Sequence, residues 1–153
     1  MDIQLKNPDQ VGIVVEDLDA FLKVLKDLVG LDGFEVIDYP IEGIEANTTY
    51  HGKPSDLKMK AAFKKFESFQ LEVVQPGEGE SIYKDFLEER GPGIHHIRFS
   101  DVQSDEISEE LSRRGIQEIA SGRGLHGDSK WTYFDTAKVL QGLILEVRRP
   151  PAS

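Results

Sequence analysis

The sequence predicts an α+β fold of two tandem βαβββ modules, and three observations carry that prediction. Leu71-Glu72-Val73-Val74-Gln75-Pro76 recurs as Leu145-Glu146-Val147-Arg148-Arg149-Pro150, identical at Leu, Glu, Val and Pro. Asp9-Gln10-Val11-Gly12-Ile13 aligns with His95-His96-Ile97-Arg98-Phe99, and each copy opens an apolar strand that runs into a helical pattern closed by glycine. The two matches come in the same order at opposite ends of segments of similar length. The first segment is 12 positions longer, an excess that the polar stretch around Asp38 to Asp56 absorbs as a loop. Repeated units that cannot bury their own apolar face are expected to share one core.

Each element follows from its periodicity. Val11, Ile13 and Val15 alternate at period two, which marks a strand; Leu18, Phe21, Leu25 and Leu28 then recur at helical spacing, with Asp17 placed to cap the start and Gly30 the end. Residues 34–39, 57–63 and 69–74 read as three further strands, the last two joined by a turn near Glu67-Ser68. The second copy gives a strand at 94–100, a helix carrying Ile107 and Leu111 that ends at Gly115, and strands at 116–120, 131–134 and 143–147. The expected division is a first module at 1–76, a linker at 77–93 holding a short helix over 81–89, and a second module at 94–153.

Composition narrows the function. A chain of 153 residues with 39% apolar content can fill a core, and no stretch approaches the roughly 18 apolar residues of a membrane span. A net charge of -10 repels phosphate backbones and anionic bilayers, so neither nucleic acid nor a membrane is an expected partner. There are no cysteines, so any metal must sit on nitrogen and oxygen donors. The opening residues lack the basic and apolar runs of a signal peptide, which makes the cytoplasm the expected location.

Strand alternation sorts side chains between the two faces of the sheet. Val11, Ile13 and Val15, Leu71 and Val73, Ile97 and Phe99, and Leu145 and Val147 make an apolar face to bury against the helices. Gln10, Glu72, His96 and Glu146 fall on the other face. If the first and last strands of each copy are neighbours, Gln10 meets Glu72, His96 meets Glu146, and a pseudo-twofold axis joins the pairs around a shared cavity. His95 is expected on the opposite face as a packed histidine, and His51 and His126 on the surface.

At this point the residues resemble a known family. Gln10-Val11-Gly12-Ile13-Val14-Val15-Glu16-Asp17-Leu18, Gly91-Pro92-Gly93-Ile94-His95-His96-Ile97 and Gly142-Leu143-Ile144-Leu145-Glu146 are similar to the vicinal oxygen chelate superfamily, over essentially the whole chain. That resemblance implies a curved mixed sheet around a metal-binding cavity and a homodimer. The glycine-rich run before the His pair looks like methylmalonyl-CoA epimerase, whereas the set Gln10, Glu72, His96, Glu146 is similar to the ligands of a glyoxalase I. Epimerases usually carry His where this chain has Gln10, and their second base falls near Asp56.

The resemblance implies a divalent metal (Zn, Ni, Co, Mn or Fe) on Gln10, Glu72, His96 and Glu146. It also implies a lyase or isomerase working through a metal-stabilised enolate of a carbonyl or thioester substrate, with Glu146 and Glu72 as catalytic carboxylates. Arg98, Arg123 and Lys130 are the basic residues that would contact this small-molecule substrate, and the glycine-rich stretch 121–128 would form a lid. The alternatives are an extradiol-type dioxygenase, which needs two His and one carboxylate, or a metal-free small-molecule-binding protein of the resistance kind.

Overall fold

The structure is a computed structural model and describes residues 2–152. In chain order the elements are β1 Pro8–Val14, α1 Leu18–Val29, β2 Glu35–Tyr39, β3 Thr49–Tyr50, β4 Lys53–Pro54, β5 Met59–Phe66 and β6 Phe69–Pro76. They continue with α2 Ile82–Arg90, β7 Gly93–Ser100, α3 Ser104–Arg113, β8 Glu118–Arg123, β9 Lys130–Phe134 and β10 Ile144–Arg149. All ten strands join one sheet, in the order β2-β5-β6-β1-β7-β10-β9-β8-β3-β4, curled into a half-barrel. Among the described residues, no helix is long and apolar enough to cross a membrane.

The local signals act as expected. Asp17 Oδ1 accepts from the Ala20 amide at 3.0 Å, and Gly30 adopts φ 69° so that its N–H and that of Leu31 close the last turn of α1. Helices α1 and α3 cover the convex face. Beneath α1, Leu18 packs with Val15, Ala62 and Val73; beneath α3, Ile107 packs with Phe134, Leu145 and Val147. Burial of these two apolar layers pins the register of the central strands, because a one-residue slip would turn every inward side chain outward.

The centre of the sheet carries the repeat. β1 runs antiparallel to β7, with Val11 opposite Ile97, Gln10 opposite Arg98 and Gly12 opposite His96. β6 lies parallel to β1 on one side, placing Glu72 beside Gly12 and Gln70 beside Gln10; β10 lies parallel to β7 on the other, placing Glu146 beside Arg98 and Ile144 beside His96. The pairing is symmetric about Val11 and Ile97. The expected pairs are therefore diagonal rather than directly opposite, and the missing side chain of Gly12 leaves the space in which they meet.

Three features differ from the sequence expectation. The polar stretch between β2 and β5 is more than a loop: β3 and β4 form a hairpin that crosses to the other end of the arc and pairs with β8, Thr49 opposite Ser121. The linker helix α2, capped by Ser81, packs into the concave face through Ile82, Tyr83, Phe86 and Leu87. The pairing of β1 with β7 slips between Gly12–His96 and Ile13–Ile94, so His95 has no partner residue. That bulge turns His95 into the concave core with His96, instead of onto the helix face.

Candidate functional site

Gln10, Glu72, His96 and Glu146 are 2%, 6%, 0% and 4% exposed, and the strand registers bring all four together on the concave face. The imidazole Nε2 of His96 is their common neighbour. It lies 3.0 Å from Gln10 Oε1, 3.1 Å from Glu72 Oε1 and 3.2 Å from Glu146 Oε2. Bonds of about 2.1 Å at right angles around one cation hold neighbouring donors roughly 3 Å apart. Each of these contacts has that length. Among the described residues no three His, Asp or Glu side chains already surround one shared point, so holding a cation would require the carboxylates to turn from the nitrogen toward a common centre.

The donor set is one that could hold a cation. One imidazole N–H cannot serve three oxygens, and Glu72 Oε1 is buried with no hydrogen bond. The inward amide oxygen of Gln10 faces Glu146 Oε2 and His96 Nε2, while its outward NH₂ donates to Gln70 Oε1 at 2.6 Å and faces Arg98 Nη1 at 3.1 Å; rotating the amide would let it donate to Glu146 and accept from Arg98. The inward oxygen suits a metal, whereas the rotated amide suits a purely hydrogen-bonded cluster. Imidazole, two carboxylates and an amide oxygen are donors for first-row divalent ions.

The surroundings hold these groups in place. His95 Nδ1 is 2.8 Å from His96 Nδ1, and the His95 ring sits among Tyr83, Phe86 and Tyr133 at centroid distances of 5.3, 5.0 and 5.9 Å. Burial depresses the His95 pKa, and the neighbouring His96 depresses it further, so the ring is neutral. Tyr83 donates to the Tyr133 hydroxyl at 2.9 Å, and burial together with Glu72 and Glu146 holds both phenols protonated. Burial pushes the Glu146 carboxyl up to about 7, against the pull of His96 and Arg98.

A cavity of about 360 Å³ opens from this cluster. Gln10, Glu72 and Glu146 line its floor; Tyr39, Trp131 and Tyr133 form an aromatic wall. Gly124, Leu125 and His126, from the glycine-rich stretch expected as a lid, edge the mouth. His51 and His126 are exposed, as expected.

Of the basic residues expected to meet a substrate, only Arg98 reaches the cavity, and its Nε is committed to Asp9 at 2.8 Å. Arg123 and Lys130 require correction. Arg123 is exposed and turns its Nε to the Gly127 carbonyl at 3.1 Å, and Lys130 is absent from the cavity wall because it alternates with Trp131 along β9. Arg148 was missed, although period two already placed it on the face of Glu146; it lines the cavity with Lys65. Asp56 is exposed and outside the lining.

Comparison with known proteins agrees with this geometry. Residues 9–134 match the family model of the glyoxalase/bleomycin resistance protein/dioxygenase superfamily. The Bacillus subtilis protein YqjC, itself uncharacterised, is 29% identical over 93 residues, which is 61% of this chain and 66%, just under two thirds, of that protein. A variant of Streptomyces coelicolor methylmalonyl-CoA epimerase in complex with 2-nitronate-propionyl-CoA superposes with a TM-score of 0.66 at 22% identity, covering 97% of this chain and 100% of that one. The Mycobacterium tuberculosis methylmalonyl-CoA epimerase gives 0.65 at 21%, covering 97% and 90%, and a hypothetical protein of Bacillus halodurans gives 0.64 at 21%, covering 95% of each chain. At such identities the superpositions speak for the fold, and the family-model match across most of the chain decides membership: the chain belongs to the glyoxalase/bleomycin resistance/dioxygenase, or vicinal oxygen chelate, superfamily.

Proposed function

We propose that this protein is a metal-dependent isomerase or lyase that moves a proton next to the carbonyl of a small ketone, aldehyde or thioester. The observation that carries the reading is the meeting of Gln10, Glu72 and Glu146 oxygens at the His96 nitrogen, 3.0 to 3.2 Å away, on the floor of a cavity. Gln10, Glu72, His96 and Glu146 would hold a divalent cation, which when bound supplies a Lewis acid that draws electron density from the substrate carbonyl.

The chain's own groups do the rest. Glu72 stands on β6 and Glu146 on β10, with β1 and β7 between them, so the two carboxylates approach a centrally bound substrate from opposite sides. One removes the proton on the carbon beside the carbonyl, and either the same or the opposite carboxylate returns one. Return by the opposite carboxylate inverts the centre; return to a different atom isomerises it. The aromatic wall and α2 keep bulk water from the floor. The epimerase neighbours support this class of chemistry, as does the family match. We also read residues 1–76 and 94–153 as two copies of one module joined by 77–93, and the chain as a homodimer; a monomer by light scattering at micromolar concentration would exclude the dimer.

Metal analysis of purified protein, followed by solvent deuterium exchange into a panel of acyl-CoA thioesters and hemithioacetals, tests the reading. Wild type should carry about one divalent ion per chain and exchange at least one substrate, and His96→Ala should lose both. Equal metal content in wild type and His96→Ala would exclude the proposed ligand set.

A further inference from the structure

The cavity floor is laid out in rows by the strand registers. Arg98, Glu146 and Tyr133 face one another across β7, β10 and β9, and the next inward-facing row along β10 is Ser100, Arg148 and Trp131. Successive rows on one face of a sheet stand about 7 Å apart. The first row holds Glu146, one of the two carboxylates proposed to move the proton. The second is chemically different and is not needed for that step.

Arg148 is the unsatisfied member of the second row. Among the described residues its guanidinium has no hydrogen-bond or ion-pair partner, although it lines the cavity. The nearby carboxylate of Asp9 is already engaged: it takes the Arg98 Nε at 2.8 Å on Oδ1 and the Ser100 hydroxyl at 2.6 Å on Oδ2. Directly opposite Arg148, Trp131 is fixed by donating its Nε1–H to the Arg123 carbonyl at 3.1 Å and presents an apolar surface to the cavity.

We propose that Arg148 and Trp131 form a substrate subsite that receives an anionic oxygen group, a carboxylate or a phosphoryl, carried within about 7 Å of the reacting carbon. The inference rests on the proposed function for the identity of the reacting end. The guanidinium fork grips two oxygens of the anion, and Trp131 packs against the carbon chain that joins it to the carbonyl. Arg148 thereby selects among carbonyl compounds: acids are drawn in and oriented with their reactive carbon over the Glu146 row, and uncharged analogues are not.

Trp131 is the single tryptophan of the chain, so its fluorescence reports directly on this row. Levulinate, in which two methylenes separate a ketone from a carboxylate, its uncharged amide, and inorganic phosphate are titrated into purified wild type, Arg148→Gln and Arg148→Lys, with metal content measured in each. Levulinate should quench or shift the emission of wild type and bind at least 10-fold more tightly than its amide. Arg148→Gln should lose that preference and Arg148→Lys keep part of it, at unchanged metal content. Tight binding of phosphate with the same dependence on Arg148 identifies a phosphoryl substrate; its absence identifies a carboxylate. Equal binding of levulinate and its amide by wild type, or an acid preference that survives Arg148→Gln, overturns the proposal. Wild type that carries no metal but prefers acids through Arg148 would remove the proposed function and leave the anion subsite standing.

Discussion

The imidazole of His96 lies where a side chain on Gly12 would be: the two residues are directly opposite across β1 and β7, and a β-carbon on Gly12 would overlap the ring atoms Cε1, Nε2 and Nδ1. The glycine is needed here for space rather than for its backbone freedom. Gly12→Ala must push the ring away from Glu72 and Glu146 or bend two central strands. The expected result is a destabilisation of about 1–3 kcal/mol, typical of overpacking, together with loss of metal binding. Thermal unfolding and metal titration measure the two effects, and a variant with wild-type metal affinity would show that the His96 ring is not held in this position.

The raised pKa of Glu146 makes the metal-free protein sensitive to pH. Its carboxyl titrates near the ordinary value when the chain is unfolded and at about 7 when folded. Between roughly pH 4.5 and 7 the folded state therefore binds more protons, and stability falls as pH rises. Glu146→Gln removes that dependence. In the presence of a chelator the variant should gain stability over wild type at pH 8, up to about 3 kcal/mol from the size of the shift, and gain nothing near pH 4. Denaturant melts at the two pH values check this, and a gain equal at both would assign the effect to something other than this carboxyl.

Gln10 separates a direct ligand from a hydrogen-bond partner. With its amide oxygen on the metal, Gln10→His should bind the ion as tightly as wild type or more so, because imidazole is the better donor. Gln10→Ala should weaken binding only partly, with three donors left. If the amide is turned and merely supports Glu146, the Ala variant should lose about 10- to 100-fold, as outer partners do, and the His variant should gain nothing. Parallel titrations of the two variants decide between the orientations.

His95 is expected to orient the ring that binds. When His96 Nε2 offers its lone pair outward, its Nδ1 carries the proton and donates it to the neutral His95 Nδ1, 2.8 Å away. His95→Phe preserves the packing against Tyr83 and Phe86 but removes the acceptor. Metal affinity should fall about 10- to 100-fold with little change in unfolding temperature. Unaltered affinity would show that something else fixes the His96 tautomer.

Much of this architecture was legible because the two halves of the sequence share one pattern of apolar alternation. Aligning Gln10 with His96, 86 positions apart, matched the two central strands as counterparts, whereas their antiparallel register, Val11 opposite Ile97 and Gly12 opposite His96, came only with the structure. The apolar alternation of Leu71, Val73, Leu145 and Val147 likewise placed Glu72 and Glu146 on the cavity face. What the sequence hid has physical causes. A bulge depends on pairing between distant strands, so the inward turn of His95 left no local signal. The two-residue strands β3 and β4 are too short and too polar to show a period, and their pairing with β8 arises only once the sheet has curled. Arg123 and Lys130 drew attention as cations near a flexible loop, but one is tied to its own turn and the other alternates outward, whereas Arg148 lay on the face of Glu146 throughout.

The β3–β4 hairpin gives the molecule a clasp. It belongs to the N-terminal half of the chain yet completes the edge of the C-terminal half, where the Thr49 and Ser121 hydroxyls stand 2.8 Å apart across 72 residues of sequence. Tyr50 locks the hairpin further by donating to Asp85 of the linker helix at 2.5 Å. A cut within the linker would therefore leave one fragment with a loose ribbon and the other with an open β8 edge, each the natural complement of the other. The two halves of the chain are interlaced rather than merely adjacent, and the sheet that carries the cavity is completed by strands from both.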